Sequence, residues 1–201
     1  MKASLITAAI FALGVVIGHT GMAPEVLAGG QLTFTALCAL LLCVGMGIGS
    51  NKSIVDECRA LNPRLALLPL ATLLGCLVGC LVAWLMLPQR SATDCLAVGS
   101  GFAYYSLSSI FITQYKGAEL GTVALLANIF REMGTLLLTP LIAKVFGPLA
   151  PISAGGATSM DTTLPIISQT CGRQYVMVSI YHGFVVDFSV PFLVTLWCQL
   201  G

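Results

Sequence analysis

A segment rich in groups that can bind a charged solute lies between two apolar stretches of the chain. GGATSMDTTLPII, residues 155–167, contains four hydroxyl side chains, one carboxylate and a proline. Gly155, Gly156 and Pro165 predict that a helix is interrupted here. An interrupted backbone at membrane depth is tolerated only where protein buries it or water reaches it. The backbone groups freed beside Asp161 therefore predict a binding site of the kind found in secondary transporters, and a kinked packing helix is the alternative.

Several polar and charged residues lie inside the apolar stretch 120–146. Asn128, Arg131 and Glu132 follow helical spacing there, so one helix face carries them. A charged side chain near the centre of a bilayer costs about 2.5 to 3.5 kcal/mol, and it normally faces protein or a wet cavity. We expect Arg131 to pair with Glu132 or Asp161. An ion pair that only holds the helices together is the alternative.

A second interrupted segment, GSGFAYYSLSS at residues 99–109, precedes this helix. Paired interrupted segments point to a transport site, although here the pairing rests on composition and not on an alignable repeat. Tyr104 and Tyr105 offer rings and hydroxyls to an ammonium group, and interfacial tyrosines are the alternative. Asp187, on the last apolar stretch, is expected to be peripheral. The residues expected to bind substrate or ion are Glu132, Asp161, Arg131, Asn128, Tyr104, Tyr105, Ser106, Thr158, Ser159 and Thr162.

The elements that position these residues must lie in a membrane. Of the 201 residues, 57% are apolar and 8% are charged, so polar groups cannot cover a soluble surface. A net charge of +1 without a basic run gives no indication of a nucleic-acid partner, and we expect none. Apolar stretches fall at about 3–19, 31–50, 65–87, 95–114, 120–146, 147–170 and 175–200. They predict an all-α polytopic protein with about seven membrane-crossing segments and two interrupted helices in a core. We divide the chain into a three-helix scaffold or oligomerisation part, residues 1–94, and a transport core, residues 95–201.

The basic residues predict the orientation. With seven crossings, one side of the membrane receives Lys2, Lys52, Arg59, Arg64, Lys116 and Arg173, and the other receives Arg90 and Lys144. The richer side is cytoplasmic by the positive-inside rule. The N-terminus is therefore expected in the cytoplasm and the C-terminus outside. Residues 1–28 have the features of a signal peptide, but we favour a retained helix.

Four stretches resemble, in order and spacing, the signature stretches of the LysO family of bacterial lysine exporters. They are GFAYYSLSS, ANIFREM, GGATSMDTTLPII and YHGF, and the resemblance covers about residues 30–200. It implies export of L-lysine and close cationic analogues across the inner membrane, with Glu132 and Asp161 as essential acids. Typical members are longer, with extra membrane helices before the matched part. The chain thus resembles the C-terminal portion of a split exporter, and we expect a short companion membrane subunit, a homodimer, or both.

Lysine carries two ammonium groups and one carboxylate. A site for it needs acids for the ammonium groups, and backbone amides, a helix N-terminus or an arginine for the carboxylate. Glu132, Asp161 and Arg131 supply this set of groups. Because the chain has no G-x-x-x-x-G-K-[ST] stretch, direct ATP coupling within it is not expected. An ammonium group and a proton can compete for one carboxylate, so we expect proton antiport without a cofactor or metal, with sodium as the alternative coupling ion.

The sequence fits two other classes of protein less well. An enzyme would need a nucleophile with a base, or a metal centre, yet His19 and His182 lie on distant segments without an H-x-x-x-H pattern. We therefore do not expect an enzyme. The alternatives are a non-transporting membrane subunit of a split exporter and a sodium-coupled transporter of another small charged solute.

Overall fold

The structure, a computed structural model, describes residues 63–201 as one continuous stretch and, before them, only residues 9, 12–14, 16, 17, 19, 20, 42 and 46. The expectations for residues 1–28 and for the crossings at 3–19 and 31–50 concern segments of which most residues lie outside this described part. Within residues 63–201 all regular structure is helical. The expected all-α class is therefore confirmed.

We number the α-helices of residues 63–201 in chain order. They are α1 (Leu68–Met86), α2 (Ala92–Gly99), α3 (Tyr105–Lys116), α4 (Ala118–Phe146), α5 (Ala150–Gly155), α6 (Leu164–Cys171) and α7 (Val176–Leu200). Short 3-10 turns cover Pro63–Leu67, Gly156–Met160 and Arg173–Tyr175.

Three of the described stretches are long and apolar enough to cross a membrane: Arg64–Met86, Ala118–Phe146 and Arg173–Leu200. They correspond to the third, fifth and seventh apolar stretches of the sequence. At 1.5 Å per residue, α4 is about 43 Å long, more than the hydrocarbon core of a bilayer. The outer faces of these helices expose large apolar side chains such as Phe130 and Phe184. The chain is a membrane-embedded helical protein.

The fourth apolar stretch folds into a hairpin of two short helices, α2 and α3. Lys116 ends α3, and its Nζ lies 3.3 Å from the carboxylate of Asp94 in the first turn of α2. Arg90, just before α2, pairs with Glu119 in the first turn of α4. The hairpin therefore begins and ends at one end of the helix bundle, near the C-terminus of α1.

The sixth apolar stretch forms a second hairpin, α5 and α6, which begins and ends at the opposite end of the bundle. Leu149 precedes α5 and Cys171 ends α6, and both belong to one apolar cluster with Tyr175 and Leu65. Leu65 lies just before α1, and Tyr175 lies just before α7. This hairpin thus starts and finishes where α1 begins.

The expected count of seven crossings is not confirmed, because the fourth and sixth stretches enter and return at the same end of the bundle. Hydropathy records the length and apolarity of a stretch but not the direction of the chain within it. Two half-length helices are together as long and as apolar as one crossing helix. In the described part, hairpin and long helix follow each other twice, as α2–α3 with α4 and as α5–α6 with α7.

The two hairpins meet where their helices are interrupted: the first interruption is residues 100–104, between α2 and α3, and the second is residues 156–163, between α5 and α6. The carbonyl oxygen of Phe102 accepts a hydrogen bond of 2.9 Å from the backbone N–H of Ala157. Gly156 has a φ of 60°, and a Cβ there would lie 2.4 Å from the Phe102 carbonyl oxygen, so only glycine fits. On α7, a Cβ at Gly183 would lie 2.6 Å from that of Met160, so α7 packs directly on the second interruption. The two interrupted helices form the expected core.

Candidate functional site

A cavity of about 240 Å³ lies where the two interruptions meet α4 and α7. Both hairpins and both long helices contribute side chains to it. Its lining residues are Ala103, Tyr104, Tyr105, Ser106, Glu132, Ala157, Thr158, Met160, Asp161, Thr162 and Asp187. Seven of the ten residues singled out from the sequence are among them, and the cavity is therefore the candidate site.

Three carboxylates from three different elements line this cavity. Glu132 comes from the middle of α4, Asp161 from the second interruption and Asp187 from α7. Asp161 lies outside regular helix, with φ −132° and ψ −93°, and one of its oxygens accepts hydrogen bonds from the backbone N–H and the hydroxyl of Thr162. The sequence pattern indicated the first two acids. Asp187, expected to be peripheral, lies in the same cavity.

The N-terminus of α3 also opens onto the cavity. Tyr105 and Ser106, which line the cavity, are the first two residues of this helix, and it has no side-chain cap on its first turn. The unpaired N–H groups of a helix N-terminus, and its partial positive charge, favour an anionic group. The start of α6 differs, because the backbone N–H groups of Thr162 and Leu164 donate to oxygens of Asp161 and Pro165 has no N–H. The cavity thus combines carboxylates, which attract cations, with one positive helix end.

Asn128, which the sequence pattern placed in the binding set, does not line the cavity and hydrogen-bonds the backbone of the first interruption. Its Oδ1 accepts a hydrogen bond of 2.8 Å from the backbone N–H of Ala103. Its amide nitrogen donates to the carbonyl oxygens of Val98, at 3.2 Å, and Ala124, at 2.9 Å. The side chain is buried and both of its donors are used. Asn128 therefore acts on the site by positioning Ala103.

Ser159 also lies outside the cavity, in a buried polar chain that joins three elements. Its Oγ lies 2.8 Å from the carbonyl oxygen of Gly156 and 3.0 Å from Nδ1 of His182. Nε2 of His182 lies 2.8 Å from the hydroxyl of Thr72 on α1. This chain of hydrogen bonds ties the second interruption to α7 and α1, and it gives His182 a structural role.

Arg131 points away from the cavity and binds the end of α5. Its Nε and Nη2 donate to the carbonyl oxygens of Ala154, at 3.0 Å, and Ser153, at 3.1 Å. Its Nη1 lies 3.2 Å from Sγ of Cys76, and its guanidinium carbon lies 5.5 Å from the centre of the Phe102 ring. The guanidinium group thus satisfies backbone carbonyls beside an interruption.

The prediction that Arg131 forms an ion pair with Glu132 or Asp161 was wrong. Within residues 63–201, Arg90 pairs with Glu119 and Lys116 with Asp94, whereas the guanidinium group of Arg131 donates to backbone carbonyls. Neighbouring residues of an α-helix point about 100° apart, so Glu132 can face the cavity while Arg131 faces α5. Of the three polar residues that share this stretch of α4, Glu132 therefore lines the cavity, and Asn128 and Arg131 hold the interruptions.

The chain is similar in sequence to known lysine exporters. The sequence model of the family described as lysine exporter LysO matches residues 8–198. The Escherichia coli protein named "Lysine exporter LysO" is 33% identical over 193 residues, which are 95% of this chain and 62% of that protein. A Haemophilus influenzae protein named "Putative lysine exporter" is 31% identical over 157 residues, 78% of this chain and 79% of that protein. The chain thus spans less than two thirds of the E. coli relative. No solved structure matches it.

Proposed function

The chain belongs to the LysO family of lysine exporters, and on this basis we propose that it exports L-lysine and close cationic analogues across the bacterial inner membrane as a secondary transporter. Membership in a family of exporters supports a transporter and not an enzyme. The observation that best supports the proposal is the cavity between the interrupted hairpins, because Glu132 and Asp161 line it together. Interrupted helices around such acids are typical of secondary transporters.

Lysine matches the groups of this cavity. Its ammonium groups take the carboxylates of Glu132 and Asp161 as partners through charge-assisted hydrogen bonds. Since Arg131 does not line the cavity, the carboxylate of lysine takes the N-terminus of α3 as its partner. Tyr104 and Tyr105 line the same space and offer ring faces or hydroxyls to an ammonium group.

Proton antiport follows from competition for these carboxylates. On the cytoplasmic side the ammonium groups of lysine displace protons from Glu132 and Asp161. When the cavity faces the other side, protons return to the carboxylates and lysine leaves. Sodium is the alternative coupling ion, because the hydroxyls of Ser106, Thr158 and Thr162 line the cavity and hard cations prefer oxygen ligands.

The hairpins change the sides assigned to two basic residues. Lys116 lies at the end of the bundle with Arg90, and Lys144 lies at the end with Arg64 and Arg173. If residues 1–62 cross the membrane twice, the basic residues again divide six to two. We therefore retain a cytoplasmic N-terminus and an external C-terminus as the proposed orientation.

A partner in the membrane is also proposed: a short companion subunit, a homodimer, or both. Residues 1–94 would serve as scaffold and residues 95–201 as transport core, although a boundary at 94 falls inside α2, which begins at Ala92. Polar backbone at an interruption must be shielded from lipid. A monomer with full lysine transport in vesicles would contradict the need for a partner.

The test is lysine flux in vesicles together with the abundance of the protein in the membrane. Glu132→Gln and Asp161→Asn keep the size of the side chain but remove its charge. We expect both to insert normally and to lose lysine flux under an imposed proton gradient. Glu119→Gln is the matched control, since Glu119 lies on the same helix with 79% of its side chain exposed, and it should transport normally. Normal flux in both cavity variants would contradict the proposed function, and flux driven only by a sodium gradient would replace the proton as coupling ion.

A further inference from the structure

The described part contains two copies of one unit, each made of a hairpin and a long helix, that start from opposite ends of the bundle. Each residue of the first copy corresponds to the residue 55 positions later, in the second copy. Gly117 and Gly172 are one such pair of equivalent residues. These two glycines separate hairpin from long helix in each copy, with φ of 90° and 110°. The same offset relates Gly101 and Gly156 at the two interruptions.

Side chains in the core follow the same offset. Ile112 and Ile167 are equivalent, and both are fully buried. Gln114 and Gln169 are equivalent and identical. The hydrogen bond that joins the interruptions connects the equivalent residues Phe102 and Ala157. The two copies therefore meet at equivalent positions, as in transporters built from inverted repeats.

The cavity lies between the two copies, and each copy contributes the same positions to it. Four equivalent pairs line it: Ala103 with Thr158, Tyr105 with Met160, Ser106 with Asp161, and Glu132 with Asp187. Among these four pairs, Glu132 and Asp187 are the pair in which both residues are acidic. Asp187 is thus the counterpart of the acid carried by the middle of α4.

We propose that Asp187 is a further substrate-binding residue, and that Glu132 and Asp187 together select solutes that carry two ammonium groups. This inference rests on the proposed function. Carboxylates that line a cavity at membrane depth lose hydration and are costly unless cations or protons lie beside them. Among the described residues, no lysine or arginine lines the cavity. A solute with an ammonium group at each end neutralises both acids at once.

Asp161 binds one ammonium group of lysine together with Glu132, and Asp187 binds the other. The counterpart of Asp161 is Ser106, so Asp161 is the acid of the cavity without an acidic equivalent. Discrimination between one and two ammonium groups then depends on Asp187. A solute with a single ammonium group leaves one member of the Glu132–Asp187 pair without a partner.

The experiment measures binding of three solutes to the purified full chain: lysine, ornithine, which is shorter by one methylene, and 2-aminohexanoate, which lacks the side-chain ammonium. Asp187→Asn should weaken lysine binding by about 10- to 100-fold, as expected for a lost charge-assisted hydrogen bond, and leave 2-aminohexanoate binding unchanged. Asp187→Glu moves the carboxylate one methylene further into the cavity. It should therefore shift the preference from lysine towards ornithine.

The ratio of lysine to ornithine affinity in Asp187→Glu decides the outcome, because a purely structural residue would not change it. An unchanged ratio overturns the inference, even if Asp187→Asn fails to fold. Glu119→Asp is the control and should leave the ratio as in the wild type. A wild-type chain that binds no lysine refutes the proposed function itself, and this result is distinct from a wild type that binds lysine with an unchanged ratio in the variant.

Discussion

Replacing Arg131 distinguishes a structural cation from a substrate-binding one. Its guanidinium group holds the carbonyl oxygens of Ala154 and Ser153, at 3.0 and 3.1 Å. Hydrogen bonds to a charged group contribute about 1.5 to 3 kcal/mol each. Removing both leaves two carbonyls beside an interruption without their partner. Arg131→Ala should therefore lower the free energy of unfolding by about 3 to 5 kcal/mol.

A second variant, Arg131→Lys, keeps the charge. A lysine ammonium lacks the planar fork that reaches both carbonyls, so this variant should lose about 1 to 3 kcal/mol. Unfolding is followed by temperature or denaturant in detergent, and lysine affinity is measured on the folded protein. Because Arg131 does not line the cavity, affinity should stay within about threefold of the wild type, a difference under 1 kcal/mol. Arg90→Lys is the control, since its exposed ion pair with Glu119 contributes little.

The opposite pattern would refute this reasoning. If Arg131→Lys unfolds like the wild type but no longer binds lysine, the guanidinium group contacts the substrate. The structural assignment of Arg131 would then be wrong, and the expectation from the sequence, with Arg131 as a partner for the substrate carboxylate, would be right.

The two remaining predictions concern the second interruption and the path of the hairpins. Gly156→Ala places a Cβ 2.4 Å from a backbone carbonyl oxygen at positive φ, which should cost about 2 to 4 kcal/mol and deplete the protein from the membrane. Gly75→Ala on α1, where a Cβ meets no described atom within 4 Å, should change stability by less than about 1 kcal/mol, and an equal loss in both variants would contradict the assignment. In intact cells, Lys116→Cys should label from the same side as a tag at Gly201, and Lys144→Cys from the other side. Seven full crossings predict the reverse for both.

The interruptions could be predicted from the sequence because local chemistry determines them. Gly156 permits a positive φ, and Pro165 cannot continue a preceding helix. Glu132 and Asp161 could be predicted as cavity residues because a carboxylate at membrane depth is costly elsewhere. These conclusions need no knowledge of which elements are neighbours in the fold.

The path of the chain after each interruption could not be predicted. It depends on tertiary contacts, such as that of Lys116 with Asp94, which hydropathy does not contain. The partner of Arg131 could not be predicted for the same reason. An arginine at membrane depth needs a partner, but the sequence does not show whether backbone carbonyls or carboxylates supply it.

Asp187 was not predicted to line the cavity, for a different reason. The 55-residue offset is present in the sequence, but few identities mark it, among them Gln114 with Gln169 and Gly117 with Gly172. The structure supplies the register, because equivalent residues meet at the interruptions. With that register, Asp187 aligns with Glu132.

The repeated unit has a consequence for how such a protein can arise. Each copy passes through the membrane once, because its hairpin returns and only its long helix crosses. A unit with one crossing starts and ends on opposite faces, so a second copy joined directly behind it must run upside down. Gly147, Pro148 and Leu149 are the whole connection between α4 and α5. One tandem gene duplication is thus sufficient to produce the inverted pair, without a further helix to connect the copies.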